Sequence, residues 1–240
     1  MAGRDCAHRT SQNQPNKRQR QHDVEHDAKS LVHKKGRLFV GAMNLRGTWS
    51  DLPPGAKRLN VTSAQGKANP DRAAFSPMTE RATVGPDGET YFNLESAWQS
   101  GKVFNGVDPK RVRSFWRTNK AAKRRYPGSK GREVLHASWD DGKTKLGYIE
   151  SRKTAYVPMY ERHLAHPDSH ARLEHWEREL ESGKDVAVYD FDGPRSDAGV
   201  PLCLEVTPQL LEDKLNDTRH PFGHGYVVAA ALIGHRLGGE

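Results

Sequence analysis

Apolar residues in this chain fall in short runs divided by long polar stretches, and the runs predict a modest set of elements. Arg37 to Gly41 and Arg58 to Thr62 read as short strands on either side of a turn-rich stretch around Pro53-Pro54-Gly55. Asp185 to Tyr189 reads as another strand, leading into Asp190-Phe191-Asp192-Gly193-Pro194. Asn93 is an expected N-cap for a helix that carries Glu95 in its first turn. Asp108-Pro109 opens a second helix, which Tyr126-Pro127-Gly128 breaks. From Thr144 to His163 the pattern predicts a long helix with Leu146, Ile149, Tyr156 and Tyr160 inward; Pro158 falls inside it and imposes either a kink or a junction of two shorter helices. Asp168 is the expected cap of a helix with Leu173, Trp176 and Leu180 at core spacing and Gly183 at its stop. Pro208 to Leu215 and Tyr226 to Ile233 are expected short helices, and Ser63 to Gly88 a long polar loop.

The first 36 residues lack the apolar content to offset ordering entropy, so they read as a disordered basic tail, with the folded domain over 37–240. Lys17-Arg18-Gln19-Arg20 within that tail fits a nuclear address or a nucleic-acid tether. No apolar run approaches the ~20 residues of a spanning helix, which excludes a membrane partner at this level of reading. The N-terminus lacks the apolar stretch of a secretory signal, and two cysteines, Cys6 and Cys203, make no disulfide framework. The expectation is an intracellular protein, cytoplasmic or nuclear, without a structural metal or other cofactor.

Net charge is +8, and its placement matters more than its size. Lys110 to Arg132 contains ten Lys or Arg residues and no Asp or Glu. Such a block attracts polyanions, either nucleic acid or the diphosphate of a nucleotide.

The chemistry-bearing residues gather on the helix after Asn93. Glu95, Gln99 and Lys102 follow at i, i+4 and i+7, so one helix face would present a carboxylate, an amide and an amine beside Trp98 and Phe104. Glu95 reads either as the acid/base of a glycosidic cleavage or as a carboxylate satisfying backbone donors at a helix start. Lys102 could hold a phosphate, attack a ring-opened sugar as a Schiff base, or lie along the surface. Trp98 serves as a core anchor or as a stacking platform for a base, and Gln99 would orient a sugar hydroxyl or base edge.

These motifs resemble the NADAR family, also called YbiA-like proteins, over roughly residues 70 to 234. Phe75-Ser76-Pro77 precedes the Glu95-Gln99-Lys102 helix; Gly131-Arg132, Trp139-Asp140 and Lys153 follow in the family's order. Asp217 and Phe222-Gly223-His224-Gly225 stand where the family has an acidic residue and a Trp-Gly-x-Gly turn, with Phe in place of Trp. The resemblance implies a compact, mainly α single domain with a small β-sheet (α+β). It implies a metal-independent N-glycosidase acting on a ribosyl-phosphate or ADP-ribosyl substrate. Glu95 and Lys102 would be catalytic, with Phe75, Trp98, Gln99, Arg132, Lys153, Asp190, Asp217, Phe222 and His224 around the substrate and Asp190 and Asp192 at the rim.

Two other readings stand beside it. Asp190 and Asp192 form an Asp-x-Asp at a strand end, as a sugar-nucleotide transferase uses to hold a divalent metal, though carboxylates in a polar turn look the same. The Lys110–Arg132 block, with the tail, would equally serve a non-enzymatic nucleic-acid-binding protein.

Overall fold

The computed structural model describes residues 35–238 apart from 45, 46, 48 and 64–68. The expected disordered tail lies outside the described residues except for its last two, Lys35 and Gly36. Gly36 already belongs to the folded unit: its N–H donates to Leu180 O at 2.7 Å.

The fold is mixed α+β. Its main sheet has four strands in the order β2-β7-β1-β8: β1 (Leu38–Ala42), β2 (Lys57–Asn60), β7 (Val186–Asp190) and β8 (Cys203–Glu205). β1, β2 and β7 run parallel, with Leu38 opposite Val186 and Lys57 opposite Val186 on the other side; β8 is antiparallel to β1. All five residues of β1 and of β7 are buried, as expected for strands covered on both faces. Alternation sorts them: Leu38, Val40, Val186 and Val188 face the main helical core, while Phe39, Ala187 and Tyr189 pack with Trp49 and Leu52 on the far side.

Helix α1 (Pro70–Phe75) interrupts the stretch expected to be a polar loop; Asn69 caps it by accepting from the Asp71 and Arg72 N–H groups. The short hairpin β3 (Thr83–Val84) and β4 (Thr90–Tyr91) leads into α2 (Leu94–Ser100). Asn93 caps α2 as expected, its side chain accepting from Ser96 N–H at 2.9 Å. α2 stops at Ser100, so Lys102 is not on it: Lys102 opens β5 (Lys102–Phe104), which pairs with β6 (Val134–Ala137). The stop is steric as well as conformational. A side chain at Gly101 would meet the Trp139 indole at 2.1 Å, and that indole donates to Ala97 O at 3.0 Å, tying α2 to the segment that follows β6.

The basic helix α3 (Pro109–Thr118) is shorter than expected, ending well before Tyr126. The long helix is also reorganised. Leu146 bridges to Ala137 and lies outside it; α4 (Tyr148–Ser151) passes through a π turn (Arg152–Tyr156) into α5 (Val157–Leu164). Pro158 cannot donate to the preceding turn, and the widened π turn absorbs the lost bond without a break. α6 (Pro167–Glu181) is capped by His166 rather than Asp168, which sits in its first turn. α7 (Pro208–Asn216) and α8 (His224–Leu232) follow β8. Among the described residues no helix is long and apolar enough to cross a membrane.

Candidate active site

In open sheets with parallel strands, side chains converge beyond the strands' carboxyl ends. Here Met43 and Asn44 follow β1, Ser63 follows β2, and Asp190 to Asp192 end β7; all line one cleft of about 930 Å³. Its other walls come from Pro77 and Met78 after α1, from α2, from the segment after α3, from the π turn and from the start of α8.

α2 brings Glu95, Trp98 and Gln99 to this cleft, and Lys102 joins them from the first position of β5. The i+7 spacing placed Lys102 beside the others even though the helix ends before it. Gln99 Nε2 donates to Glu95 Oε1 at 2.7 Å. Burial pushes the Glu95 carboxyl above its usual range, opposed by the Lys102 ammonium and the Gln99 N–H. Burial pushes the Lys102 ammonium down; Glu95 opposes that, while Arg125 adds to it. Trp98 forms an aromatic wall, 5.1 Å from Tyr156 and 5.8 Å from Trp139 between ring centroids, with Lys102 Nζ 5.7 Å from its own ring. One side packs on the core, as expected of an anchor, and the other faces the cleft.

Asp190 was expected at the rim and is instead buried at the floor. Its Oδ1 accepts from Phe191 N–H at 2.7 Å, and its Oδ2 from Gly225 N–H at 3.1 Å. His224 Nδ1 lies 3.1 Å from the same Oδ2, and its Nε2 donates to Val61 O. The anion at this helix start is therefore the protein's own carboxylate. Gly223 permits the approach: a side chain there would meet Asp190 Oδ2 at 2.3 Å. Phe222 and His224 both line the cleft.

Four expected site residues lie elsewhere. Phe75 is fully buried in the core, with its carbonyl accepting from the Tyr160 hydroxyl; Pro77 and Met78 reach the cleft in its place. Arg132 is spent on Asn105 O at 3.0 Å and Gly106 O at 3.3 Å. Lys153 points from the π turn into a separate cavity of about 350 Å³ with Glu161 and Arg236. Asp217 is turned inward to the chain around it, with His220 Nδ1 at 2.9 Å and the Arg219 N–H donating at 2.8 Å, and these contacts hold its carboxyl well below the usual range.

The cations of the cleft are instead Arg124, Arg125, Arg152 and Arg195, along with Lys102. Arg152 donates to the carbonyls of Leu215, Asp217 and His220 and lies 3.8 Å from the Tyr148 ring centroid. Arg195 donates to Met43 O and Phe191 O, both at 3.0 Å. Arg124 binds Ser63 O and sits 5.4 Å from the Phe191 ring. Among the described residues none of these five makes an ion pair with a carboxylate. The charge block of the sequence is divided by this arrangement: Arg113 is buried against Ser138 O and Asp141, and Arg117 pairs with Asp87 and Glu89, so distant acids supply the counter-charge missing within the block. Only Arg124 and Arg125 of the block reach the cleft; Lys110, Arg111, Lys120, Lys123 and Lys130 are exposed outside it.

Among the described residues no group of three or more His, Cys, Asp or Glu side chains is placed to hold a metal ion. The chain belongs to a family described as a family of unknown function (DUF6939), which matches residues 45–202 and thus includes α2, both cleft arginines of the basic block and the Asp190–Arg195 turn. Comparison with curated proteins and with solved structures gives no match.

Proposed function

We propose that this cleft is the active site of an N-glycosidase, which hydrolyses the bond between a base and a ribosyl or ADP-ribosyl group without a metal. One observation carries the reading: a half-buried carboxylate, Glu95, shares a cleft with an aromatic wall and with five cations that make no ion pair among the described residues. Cleaving a C–N bond to ribose builds positive charge on the anomeric carbon, which a carboxylate in a dry wall stabilises while it orients water. The phosphate of a ribosyl phosphate supplies the anion that the cations lack, and Trp98 offers a face for the base. The NADAR resemblance agrees with this reading at Glu95, Trp98, Gln99, Lys102, Phe222 and His224 and lends nothing at Phe75, Arg132, Lys153 and Asp217.

A metal-dependent transferase built on Asp190 and Asp192 fits less well, because both Asp190 oxygens are already engaged by Phe191, Gly225 and His224. A nucleic-acid partner remains compatible as the carrier of the substrate, since exposed lysines flank Arg124 and Arg125.

The test is release of free base from a panel comprising a ribosylated pyrimidine 5′-phosphate, NAD and an oligonucleotide ADP-ribosylated on guanine. Glu95→Gln keeps the shape and the Gln99 contact region but removes the ionisable group, so turnover falls by ~10²-fold or more. EDTA leaves turnover unchanged. Full activity of Glu95→Gln, or abolition of turnover by chelation, overturns the reading.

A further inference from the structure

The turn after β7 holds a second carboxylate with a different history from Asp190. Its backbone is pinned on every side. Asp190 is clamped by Phe191 N–H, Gly225 N–H and His224; Phe191 O accepts from Arg195; and a side chain at Gly193 would meet Gly41 O at 2.4 Å. Gly223 closes from the other side, where a side chain would come within 2.9 Å of Asp192 Cβ. Asp192 itself lines the cleft with an exposed face, and among the described residues its carboxyl accepts no hydrogen bond and makes no ion pair. A carboxyl on so fixed a backbone, with no structural partner, is available to a ligand.

Resting on the N-glycosidase reading, we propose that Asp192 is the general acid that protonates the departing base, while Glu95 activates the attacking water.

The surroundings of the two carboxyls divide the roles. Burial raises the Glu95 pKa, but Glu95 also faces the Lys102 ammonium and receives the Gln99 N–H, both of which favour its ionised form and which Asp192 lacks as hydrogen-bond or ion-pair partners among the described residues. Asp192 receives no donor. Burial by the cleft walls raises its pKa, the neighbouring Asp190 and Glu95 charges add to that, and His224 and Arg195 oppose it, so its protonated form is favoured relative to that of an ordinary aspartate. In the reaction the C–N bond breaks with its electron pair moving to the base, whose nitrogen takes the Asp192 proton. Water bonds to the anomeric carbon and gives a proton to Glu95. The products are free base and free sugar, and proton exchange with solvent restores both carboxyls.

The experiment compares Asp192→Asn, Glu95→Gln and the wild-type chain on the best-cleaved member of the panel above and on 4-nitrophenyl β-ribofuranoside 5-phosphate, whose leaving group departs without protonation. Asp192 makes no contact that the fold needs, so Asp192→Asn retains its thermal midpoint. We expect it to lose ~10²–10⁴-fold on the natural leaving group, to lose the basic limb of the pH profile, and to stay near wild type on the 4-nitrophenyl compound. Glu95→Gln loses both substrates. If the wild-type chain cleaves substrate but Asp192→Asn loses both substrates or neither, Asp192 is not the acid and the N-glycosidase reading survives. If the wild-type chain cleaves no member of the panel and not the 4-nitrophenyl compound, that reading falls and this assignment with it.

Discussion

Two groups of charges in this molecule keep opposite company. Behind α1, Asp71 accepts from Arg172 Nε at 2.8 Å and from Trp176 Nε1 at 3.0 Å, while Arg81 donates to Ser169 Oγ at 2.7 Å and lies 3.6 Å from Asp168. His163 Nε2 donates to Ala74 O at 3.1 Å, and Ser169 Oγ to the same carbonyl at 2.7 Å. Every charge there has a counter-charge, and together they tie α1 to α5 and α6. In the cleft, Arg125 makes no ion pair among the described residues, and its charge lowers the pKa of Lys102, which Glu95 answers only in part. A charge that the fold answers is scaffold; one that it leaves unanswered is spare for a ligand.

The widest test of that contrast is acid. Among the described residues the buried His163 Nδ1 has no hydrogen-bond partner, so a second proton on it would find no acceptor. Burial, and then the nearby Arg81 charge, lower its pKa to about 3. Between roughly pH 6.5 and that value the unfolded chain binds a proton that the folded chain refuses. Stability conferred by the neutral ring is therefore complete above pH 6.5 and is lost as pH falls, at up to ~1.4 kcal/mol per pH unit. Urea titrations across the window should show that slope, and His163→Gln should flatten it; an unchanged slope would remove His163 from the argument.

Next in size, Asp71→Ala strands the Arg172 and Trp176 donors. Because Arg172 is partly exposed, the expected loss is about 2–3 kcal/mol rather than the full cost of breaking a buried pair. A denaturation midpoint like that of wild type would show the network to be dispensable. On the other side of the comparison, Arg125→Ala should leave the midpoint alone and weaken inorganic diphosphate binding about tenfold, the loss of one charge-assisted contact near 1.4 kcal/mol. Calorimetry measures it, and equal affinity would mean that the anion sits elsewhere. The smallest effect comes from Lys102→Met: it removes a cation that burial penalises but also the charge that offsets the burial of Glu95, so stability should shift by no more than ~1 kcal/mol while turnover is abolished. A clear drop in stability would move Lys102 into the scaffold.

What could be read from the sequence followed the range of the interactions. The Asn93 cap, the helix behind it and the strand at Val186–Asp190 depend on neighbours within a few residues, and the residue pattern announces them. The cleft cations do not. Arg113, Arg117, Arg124 and Arg125 look alike in the chain, and only distant residues decide between them: Asp141 takes the first, Asp87 and Glu89 the second, and the last two turn to the cleft. The π turn hides Arg152 from a reading at ordinary helical spacing and sends the adjacent Lys153 away, while Tyr156 is inward as its spacing predicts. Phe75 was visible as part of a motif, but an aromatic at a helix end beside a large core is pulled inward, and Pro77 and Met78 after it reach the cleft.

The parallel pairing of β1 with β7 joins residues 38–42 to residues 186–190, and His224 must then dock on Asp190. During synthesis from the N-terminus, β1 leaves the ribosome long before any parallel partner exists, and it waits as an exposed apolar strand next to polar chain. The floor of the cleft closes only once the last helix has emerged, so a nascent or C-terminally shortened chain carries Glu95 and Lys102 but no finished pocket. Assembly of this kind, in which long loops must close before their contacts form, is slow.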